Sequence, residues 1–102
     1  MSKEISERTK RVLERVIQTT ITMEELGELN QALGKYVRYI TSDDTLRQDR
    51  CVIEAMVLEE IADVELTLYK FKKMMCIEEC DLEAIKEYKV ERTYKKLTQN
   101  NK

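Results

Sequence analysis

Histidine and proline are absent from this chain of 102 residues, and glycine occurs only twice. Without histidine, the chain cannot form Ser-His-Asp or Cys-His nucleophilic sites, nor the Glu-x-x-His ligands of ferritin-like di-iron bundles. The scarcity of turn-forming residues argues against a sheet protein. Together with 37% charged and 42% hydrophobic residues, it favours amphipathic helices. Any reaction must therefore use carboxylates, lysines, tyrosines or a bound metal.

Long hydrophobic runs and an excess of basic charge are missing too. No apolar run is longer than four residues, as in AMVL at 55–58, whereas about 20 are needed to span a bilayer. The first residues, MSKEISERTK, lack the apolar core of a signal peptide. The net charge of -2 gives no basic surface for nucleic acid. We expect a soluble, cytoplasmic protein that binds neither membranes nor nucleic acid, with its three cysteines reduced.

Apolar residues recur at helical spacing in three segments, which predicts an all-α protein with a single domain over 1–102. The first segment covers about 5–40, either as one helix or as two with a bend near 19–22. Thr22 followed by Glu25 is compatible with a capping box that begins a second helix there. The polar stretch 41–50 is predicted to connect this segment to a helix over about 50–76. A break at 78–81, with Asp81 as candidate N-cap, precedes a third helix over about 82–98 and a frayed tail at 98–102.

The second predicted helix is apolar on two sides. Its main stripe includes Ile53, Val64 and Leu68, and a line on the opposite side includes Leu58 and Leu66. A helix that is apolar on two sides is buried on two sides. We therefore predict an antiparallel helical hairpin with a third, C-terminal helix, which assembles into a helix-bundle homodimer.

Two stretches of the predicted hairpin are near copies of each other: EELGEL at 24–29 and EEIADV at 59–64. Glu25 and Glu28 are helical neighbours at the edge of the apolar stripe formed by Leu26, Leu29 and Leu33, and Glu60 and Asp63 have the same offset on the second helix. Residues 25 and 63 average to 44, as do 28 and 60, so the two pairs come level in a hairpin folded near 44. Four converging carboxylates repel one another, and a hard cation such as Mg²⁺ relieves that repulsion.

Further polar residues follow the acidic pairs on the same flanks of the two helices. Lys35 and Tyr39 lie beyond Glu28 on the first helix, and Thr67 and Lys70 lie beyond Asp63 on the second. A cation site with lysines one or two turns away suits a ligand that carries phosphate.

The pattern Glu25-x-x-Glu28 followed by Glu60-x-x-Asp63 resembles the signature of the MazG-like all-α nucleoside triphosphate pyrophosphohydrolases. Compact members from phages and prophages look most similar. The likeness is close over EELGELNQALGKYVRY (24–39) and LEEIADVELTLYKFK (58–72), and weaker at Gln18 and over KEYKVERTYKKL (86–97). The gap between the two motifs is slightly longer than is usual in that family.

The resemblance implies hydrolysis of an NTP or dNTP to the monophosphate and pyrophosphate, by dimers or dimers of dimers. It implies that Glu25, Glu28, Glu60 and Asp63 bind Mg²⁺, with Mn²⁺ as an alternative. Glu24, or a ligand carboxylate such as Glu25, accepts a proton. The implied substrate contacts are Gln18, Lys35, Tyr39, Lys89 and Arg92. A rival interpretation stays open: a non-enzymatic helical oligomerisation module with an acidic cation-binding groove.

Overall fold

The computed structural model describes the backbone of residues 3–41 and 50–100, and the side chains of residues 6–41 and 50–99. Over these residues the chain is helical except for the short turn at 75–78, and it has no strand, which confirms the all-α prediction. The helices are α1 (Lys3–Thr41), α2 (Arg50–Met74) and α3 (Glu79–Asn100). Residues 42–49 of the predicted connection lie outside the described residues. None of these helices carries an apolar stretch sufficient to traverse a bilayer.

The first helix, α1, is continuous over 39 residues, so the segment forms one helix rather than two. Thr22 does not cap a new helix. Its hydroxyl donates a hydrogen bond of 2.8 Å to the carbonyl of Gln18, and Thr19 and Thr20 bond the carbonyls four residues before them in the same way. Threonine commonly bonds the preceding turn when it lies inside a helix. The segment 19–22 is therefore accommodated without a break.

The chain divides into two compact units, Met1–Phe71 and Lys72–Lys102. Within the first unit, α1 packs antiparallel against α2. Thr22 contacts Thr67, Glu25 lies close to Asp63, and Ala32 lines a cleft together with Met56. In these pairs the residue number on α2 falls as the residue number on α1 rises, as expected for antiparallel helices. The two residue numbers of each pair average between 44 and 45. The single-domain prediction for 1–102 stays a prediction.

The contact line between α1 and α2, called the seam below, has its own three- and four-residue spacing. Such spacing is typical of two helices that pack side by side. The seam includes two carboxylates and two threonines, and a third carboxylate, Asp63, lies half-buried beside it, so the seam is partly polar. Its covered side chains are Gln18, Thr22, Glu25, Leu29 and Ala32 on α1, and Ile53, Val57, Glu60, Val64 and Thr67 on α2.

Most apolar side chains lie away from the seam. Among the described residues, the buried apolar side chains are Ala32, Ile53 and Val64. Leu26 and Leu33, which the sequence predicts to face the core, are 45% and 42% exposed. That part of the prediction is wrong within this chain, because the neighbouring positions 25, 29 and 32 occupy the seam instead. The second apolar line of α2 is exposed as well.

The C-terminus of α2 has the hydrogen-bond pattern of a Schellman motif. The backbone N–H of Cys76 donates to the carbonyl of Lys73 at 3.1 Å, and that of Ile77 donates to the carbonyl of Lys72 at 2.9 Å. Cys76 adopts a left-handed conformation with φ of 55°, which glycine usually supplies at this position. The helix therefore ends in a well-bonded turn built on a residue that is strained there.

The third helix, α3, begins at Glu79, earlier than the sequence predicts. The carbonyl of Glu78 accepts from the N–H groups of Asp81 and Leu82, so Asp81 lies in the first turn and is not the N-cap. Lys72 Nζ contacts Glu79 Oε1 at 2.7 Å and links the end of α2 to the start of α3. The helix continues to Asn100 and so includes residues 98–100, which the sequence assigns to a frayed tail.

Candidate metal centre

Glu25, Glu60 and Asp63 bring three carboxylates together across the seam. One carboxylate oxygen from each residue lies within 4.8 Å of the other two. All three side chains are half-buried. Glu25 belongs to α1 and the other two belong to α2, so the group exists only because the hairpin forms. The structure thus brings together three of the four residues that the resemblance implies as metal ligands.

Glu28, the fourth of these residues, lies at the rim of the group. Its side chain is exposed, and it is not one of the three whose oxygens lie within 4.8 Å of one another. Its negative charge nevertheless acts on both Glu25 and Glu60. Glu28 is therefore close enough to influence the group electrostatically while remaining open to solvent.

Two oxygens of the group are buried and have no hydrogen-bond partner among the described residues: Oε2 of Glu25 and Oε2 of Glu60. Burial of a polar atom without a partner is unfavourable, and native structures usually satisfy such atoms with a donor, water or an ion. The two oxygens come from opposite helices, and their residues are two of the three whose carboxylates lie within 4.8 Å of one another. They are acceptors whose bonding a cation would complete.

The electrostatics of the group disfavour its ionised form. Burial is the largest cause that raises the pKa of Glu25 above its ordinary value, followed by the negative charges of Glu28 and Asp63. The pKa of Glu60 is raised by the same causes in the same order, and then by Glu25. Like charges near a low-dielectric interior oppose one another's ionisation. A divalent cation reverses this balance, because it favours the charged carboxylates.

A cleft adjoins the group on the side nearer the α1–α2 connection. Its volume is about 400 Å³. Lys35, an implied substrate contact, is half-buried and lines this cleft near Glu28 and Glu60. The positively charged Lys35 thus lines the same cleft as two acidic residues, Glu28 and Glu60. The lining residues are Glu28, Gln31, Ala32, Lys35, Met56, Glu59 and Glu60.

Two other implied substrate contacts on α1 lie away from this cleft. Gln18 is half-buried, and its Nε2 donates a 3.2 Å hydrogen bond to Thr67 Oγ1. Tyr39 lies near Arg50, whose pKa it helps to raise after the larger effect of Glu54. Eleven residues of helix separate Tyr39 from Glu28, which is about 16 Å along the axis. The structure does not bring Gln18 or Tyr39 to the acidic group.

The remaining implied substrate contacts, Lys89 and Arg92, lie on α3 in the second unit. Lys89 borders an apolar groove that Val90 and Tyr94 also line. The guanidinium carbon of Arg92 lies 5.9 Å from the centre of the Tyr88 ring, at the outer limit of a cation–π contact. Both side chains are exposed.

Glu24, the proposed proton acceptor, is exposed on α1 next to Glu25. Its negative charge makes a small contribution to the raised pKa of Glu25. It is not one of the three clustered carboxylates.

The seam contains one polar contact that the sequence interpretation misses. Thr67 is expected on the flank that faces a phosphate ligand, but the structure buries it against Thr22, with 3.1 Å between the two hydroxyl oxygens. The signal was present: residues 22 and 67 have nearly the same midpoint as 25 and 63. Threonine is usually interpreted as a helix cap or a surface residue, so a buried contact between two threonines is not predicted from the sequence.

Comparisons of this chain with family models, with curated proteins and with solved structures found no match.

Proposed function

We propose that this chain is a Mg²⁺-dependent nucleoside triphosphate pyrophosphohydrolase of the MazG-like kind. It converts an NTP or dNTP and water to the monophosphate and pyrophosphate. The observation that carries the proposal is the group formed by Glu25, Glu60 and Asp63, with its two buried, partnerless oxygens. The resemblance of the two acidic motifs to the family signature supplies the reaction.

The residues of the group fit a hard divalent cation. All its donors are carboxylate oxygens, which Mg²⁺ and Mn²⁺ prefer over nitrogen or sulfur donors. Glu25, Glu60 and Asp63 would hold the ion, and Glu28 at the rim is the fourth ligand in the proposal. When bound, a divalent cation offsets the negative charge of phosphate oxygens and lowers the pKa of a water molecule.

The charge of the substrate supports the same proposal. A triphosphate is strongly anionic, and the acidic group would repel it without an intervening cation. Lys35 is the basic residue that lines the adjoining cleft, and its ammonium group provides further charge compensation there. The cleft thus pairs an acidic cation-binding end with a cationic side chain, as expected for a phosphate-bearing ligand that binds next to a metal ion.

In the proposed reaction, the bond between the α- and β-phosphates breaks and water supplies the oxygen of the new P–O bond. The leaving group is pyrophosphate. Glu24 accepts the proton released by the water, because it is exposed and is not one of the three clustered carboxylates. Lys35 orients the phosphate chain in the cleft.

We also propose that the chain functions as a homodimer, or as a homotetramer made of two dimers. The described residues leave Leu58 70% exposed and Leu66 61% exposed on the second apolar line of α2. The stripe of α1 that includes Leu26 and Leu33 is exposed too. Apolar surface on this scale is unusual in a monomer of 102 residues, and a second copy of the helices would cover it.

The same exposed surface is the observation that favours a second candidate function. In that proposal the chain is a helical assembly module, and the acidic group binds a cation without any reaction. Both candidates predict cation binding and self-association. They differ in one outcome only, which is turnover of a nucleotide.

Pyrophosphate release tests the proposed function. Purified protein is incubated with each of the common NTPs and dNTPs in Mg²⁺, and the products are identified by phosphorus NMR. We expect the monophosphate and pyrophosphate from at least one nucleotide, and no product when EDTA removes the metal. If the protein binds Mg²⁺ but hydrolyses none of these nucleotides, the enzymatic function is contradicted and the assembly module remains.

A matched pair of variants separates the site from general effects on α2. Glu60→Gln removes a carboxylate of the group, and we expect it to abolish activity. Glu65→Gln makes the same chemical change at an exposed position of α2 outside the group, and we expect activity close to that of the wild type. Wild-type activity in Glu60→Gln as well as in Glu65→Gln would show that Glu60 has no role in the reaction.

A further inference from the structure

A closed circuit of hydrogen bonds joins α1 to α2 one turn from the acidic group. Thr22 Oγ1 lies 2.8 Å from the carbonyl oxygen of Gln18 and 3.1 Å from Thr67 Oγ1, and Gln18 Nε2 lies 3.2 Å from Thr67 Oγ1. Thr22 and Thr67 are only 6% and 4% exposed. These contacts form the polar layer of the seam that lies next to Glu25 on α1 and Asp63 on α2.

The direction of each bond in this circuit follows from hydrogen counting. A hydroxyl has one hydrogen to donate. Thr22 donates its hydrogen to the carbonyl of Gln18, so it must accept from Thr67. Thr67 donates to Thr22, so its oxygen accepts from the amide of Gln18. Each of the two hydroxyl hydrogens is thereby donated once, and the arrangement exists only in one axial register of the two helices.

Apolar seam contacts alone do not define that register strictly, because neighbouring apolar side chains exchange partners at little cost when one helix slides. A buried polar pair does define it, because sliding separates the hydroxyls and leaves them buried without partners. Buried polar residues are known to specify register in paired helices. The need is greatest beside Glu25 and Asp63, because like charges on facing helices repel each other and the site requires them to be level.

We propose that Thr22 and Thr67, held by Gln18, are positioning residues for the cation site. They touch neither the cation nor the substrate. They act by holding α1 and α2 in the register that places Glu25 level with Asp63. This inference rests on the proposed cation site, and it assigns to Gln18 a part in the scaffold of the site in place of a contact with substrate.

The test compares Mn²⁺ binding and folding stability in one set of variants. Thr67→Val removes the hydroxyl with little change in shape, and Thr67→Ser keeps it. In the double variant Thr22→Val/Thr67→Val, an apolar pair replaces the hydroxyl pair. Thr20→Val is the control, because the Thr20 hydroxyl is exposed and donates to the carbonyl of Val16 on its own helix. Mn²⁺ affinity is measured from the EPR signal of the free ion, and stability from thermal melting in EDTA.

We expect Thr67→Val to weaken Mn²⁺ binding by about tenfold or more, by analogy with the loss of a residue that hydrogen-bonds a metal ligand. Thr67→Ser and Thr20→Val should bind close to the wild type. The double variant is decisive, because matched apolar groups restore packing without restoring the register. Its melting temperature should return towards that of the wild type while its Mn²⁺ affinity stays low.

Two results would overturn the positioning role. One is wild-type Mn²⁺ affinity in the folded double variant, which would make the threonine pair merely structural. The other is absence of Mn²⁺ binding in the wild type, which would remove the site itself. Failure of the enzyme proposal is recognised separately: the wild type binds Mn²⁺, the variants follow the expected order, and no nucleotide is hydrolysed.

Discussion

Glu25 and Glu60 face each other across the seam between α1 and α2, and each has one carboxylate oxygen that is buried without a hydrogen-bond partner. Both occupy positions that a seam usually fills with apolar side chains. This arrangement is unfavourable in the absence of a counter-ion, because burial and neighbouring charges both raise the pKa of each residue. The chain therefore has a feature that weakens the metal-free fold and that a cation would convert into a stabilising contact.

Magnesium should stabilise the folded protein. A ligand that binds only the native state at 100 times its dissociation constant adds about 2.7 kcal/mol to the free energy of unfolding. For a domain of this size, each kcal/mol raises the melting temperature by about 4–8 °C. Calorimetry with Mg²⁺ and with EDTA measures the shift. A melting temperature that does not depend on Mg²⁺ would contradict a specific site.

Glu60→Gln should not destabilise the metal-free protein, although most substitutions that remove a contact do. The substitution removes the charge of a half-buried carboxylate that is repelled by Glu28 and Asp63. We expect the variant in EDTA to melt at or above the wild-type temperature, and to gain little from Mg²⁺. Glu65→Gln, at an exposed position, should leave both quantities near the wild type. Unfolding of Glu60→Gln would show that the carboxylate is structural.

The stability of the metal-free protein should rise as the pH falls. The folded pKa values of Glu25 and Glu60 lie above the ordinary value of 4.5. At a pH between the ordinary value and the raised value, the folded state therefore binds more protons than the unfolded state. Stability therefore increases as the pH is lowered through the raised pKa values, and this gain is complete below the ordinary value. Urea unfolding in EDTA, from about pH 7.5 to about pH 5, measures the trend.

Glu79 supplies the contrasting case for the pH experiment. The hydrogen bond and charge of Lys72 lower the pKa of Glu79. Its contribution to the free energy of unfolding is therefore present above the ordinary value of 4.5, and it is lost as the pH falls through the lower pKa of the folded state. The interval above 5 thus reports on Glu25 and Glu60. A stability that falls over this interval in EDTA would contradict the raised pKa values.

Replacing Cys76 with glycine should stabilise the chain. Cys76 holds a left-handed conformation at the end of α2, which disfavours any residue with a Cβ. After allowance for the greater freedom of glycine in the unfolded chain, the expected gain is about 0.5–1 kcal/mol. Urea unfolding measures it, and Cys76→Ala is the control because it keeps the Cβ. Equal stability of the two variants would contradict strain at this position.

Polar substitution of the second apolar line of α2 should weaken self-association. Leu58→Gln and Leu66→Gln remove exposed leucines that the proposed partner copy covers. Sedimentation equilibrium should show a higher dissociation constant for both variants, whereas Leu58→Met, which stays apolar, should assemble like the wild type. A wild-type protein that stays monomeric at all concentrations would contradict the dimer.

The helices and the pairing of the two acidic motifs were predictable from the sequence, for physical reasons. Three-four periodicity identifies the helices, and the common midpoint of 25 and 63 and of 28 and 60 follows from antiparallel pairing alone. Which face of α1 meets α2 was not predictable. The rule that apolar stripes face inward places Leu26 and Leu33 in the core, but the structure places Glu25 and Ala32 at the seam instead.

This difference has a physical reason. A helix with more than one apolar face has more than one partner, and periodicity within a single chain does not say which face meets which partner. The buried pair of Thr22 and Thr67 was missed for a related reason, because local propensities describe threonine as a surface or capping residue. Both cases concern contacts between helices, which depend on the whole assembly rather than on one segment.

Paramagnetic broadening by Mn²⁺ in the NMR spectrum of the ¹⁵N-labelled protein tests the central claim most directly. With a small fraction of one equivalent of Mn²⁺, the amide signals around Glu25, Glu60 and Asp63 should broaden first, and Glu60→Gln should abolish the effect. Excess Mg²⁺ should restore the signals by displacing Mn²⁺. Broadening centred elsewhere, for example on the acidic residues at 78–81, or no selective broadening, would contradict a cation held across the seam.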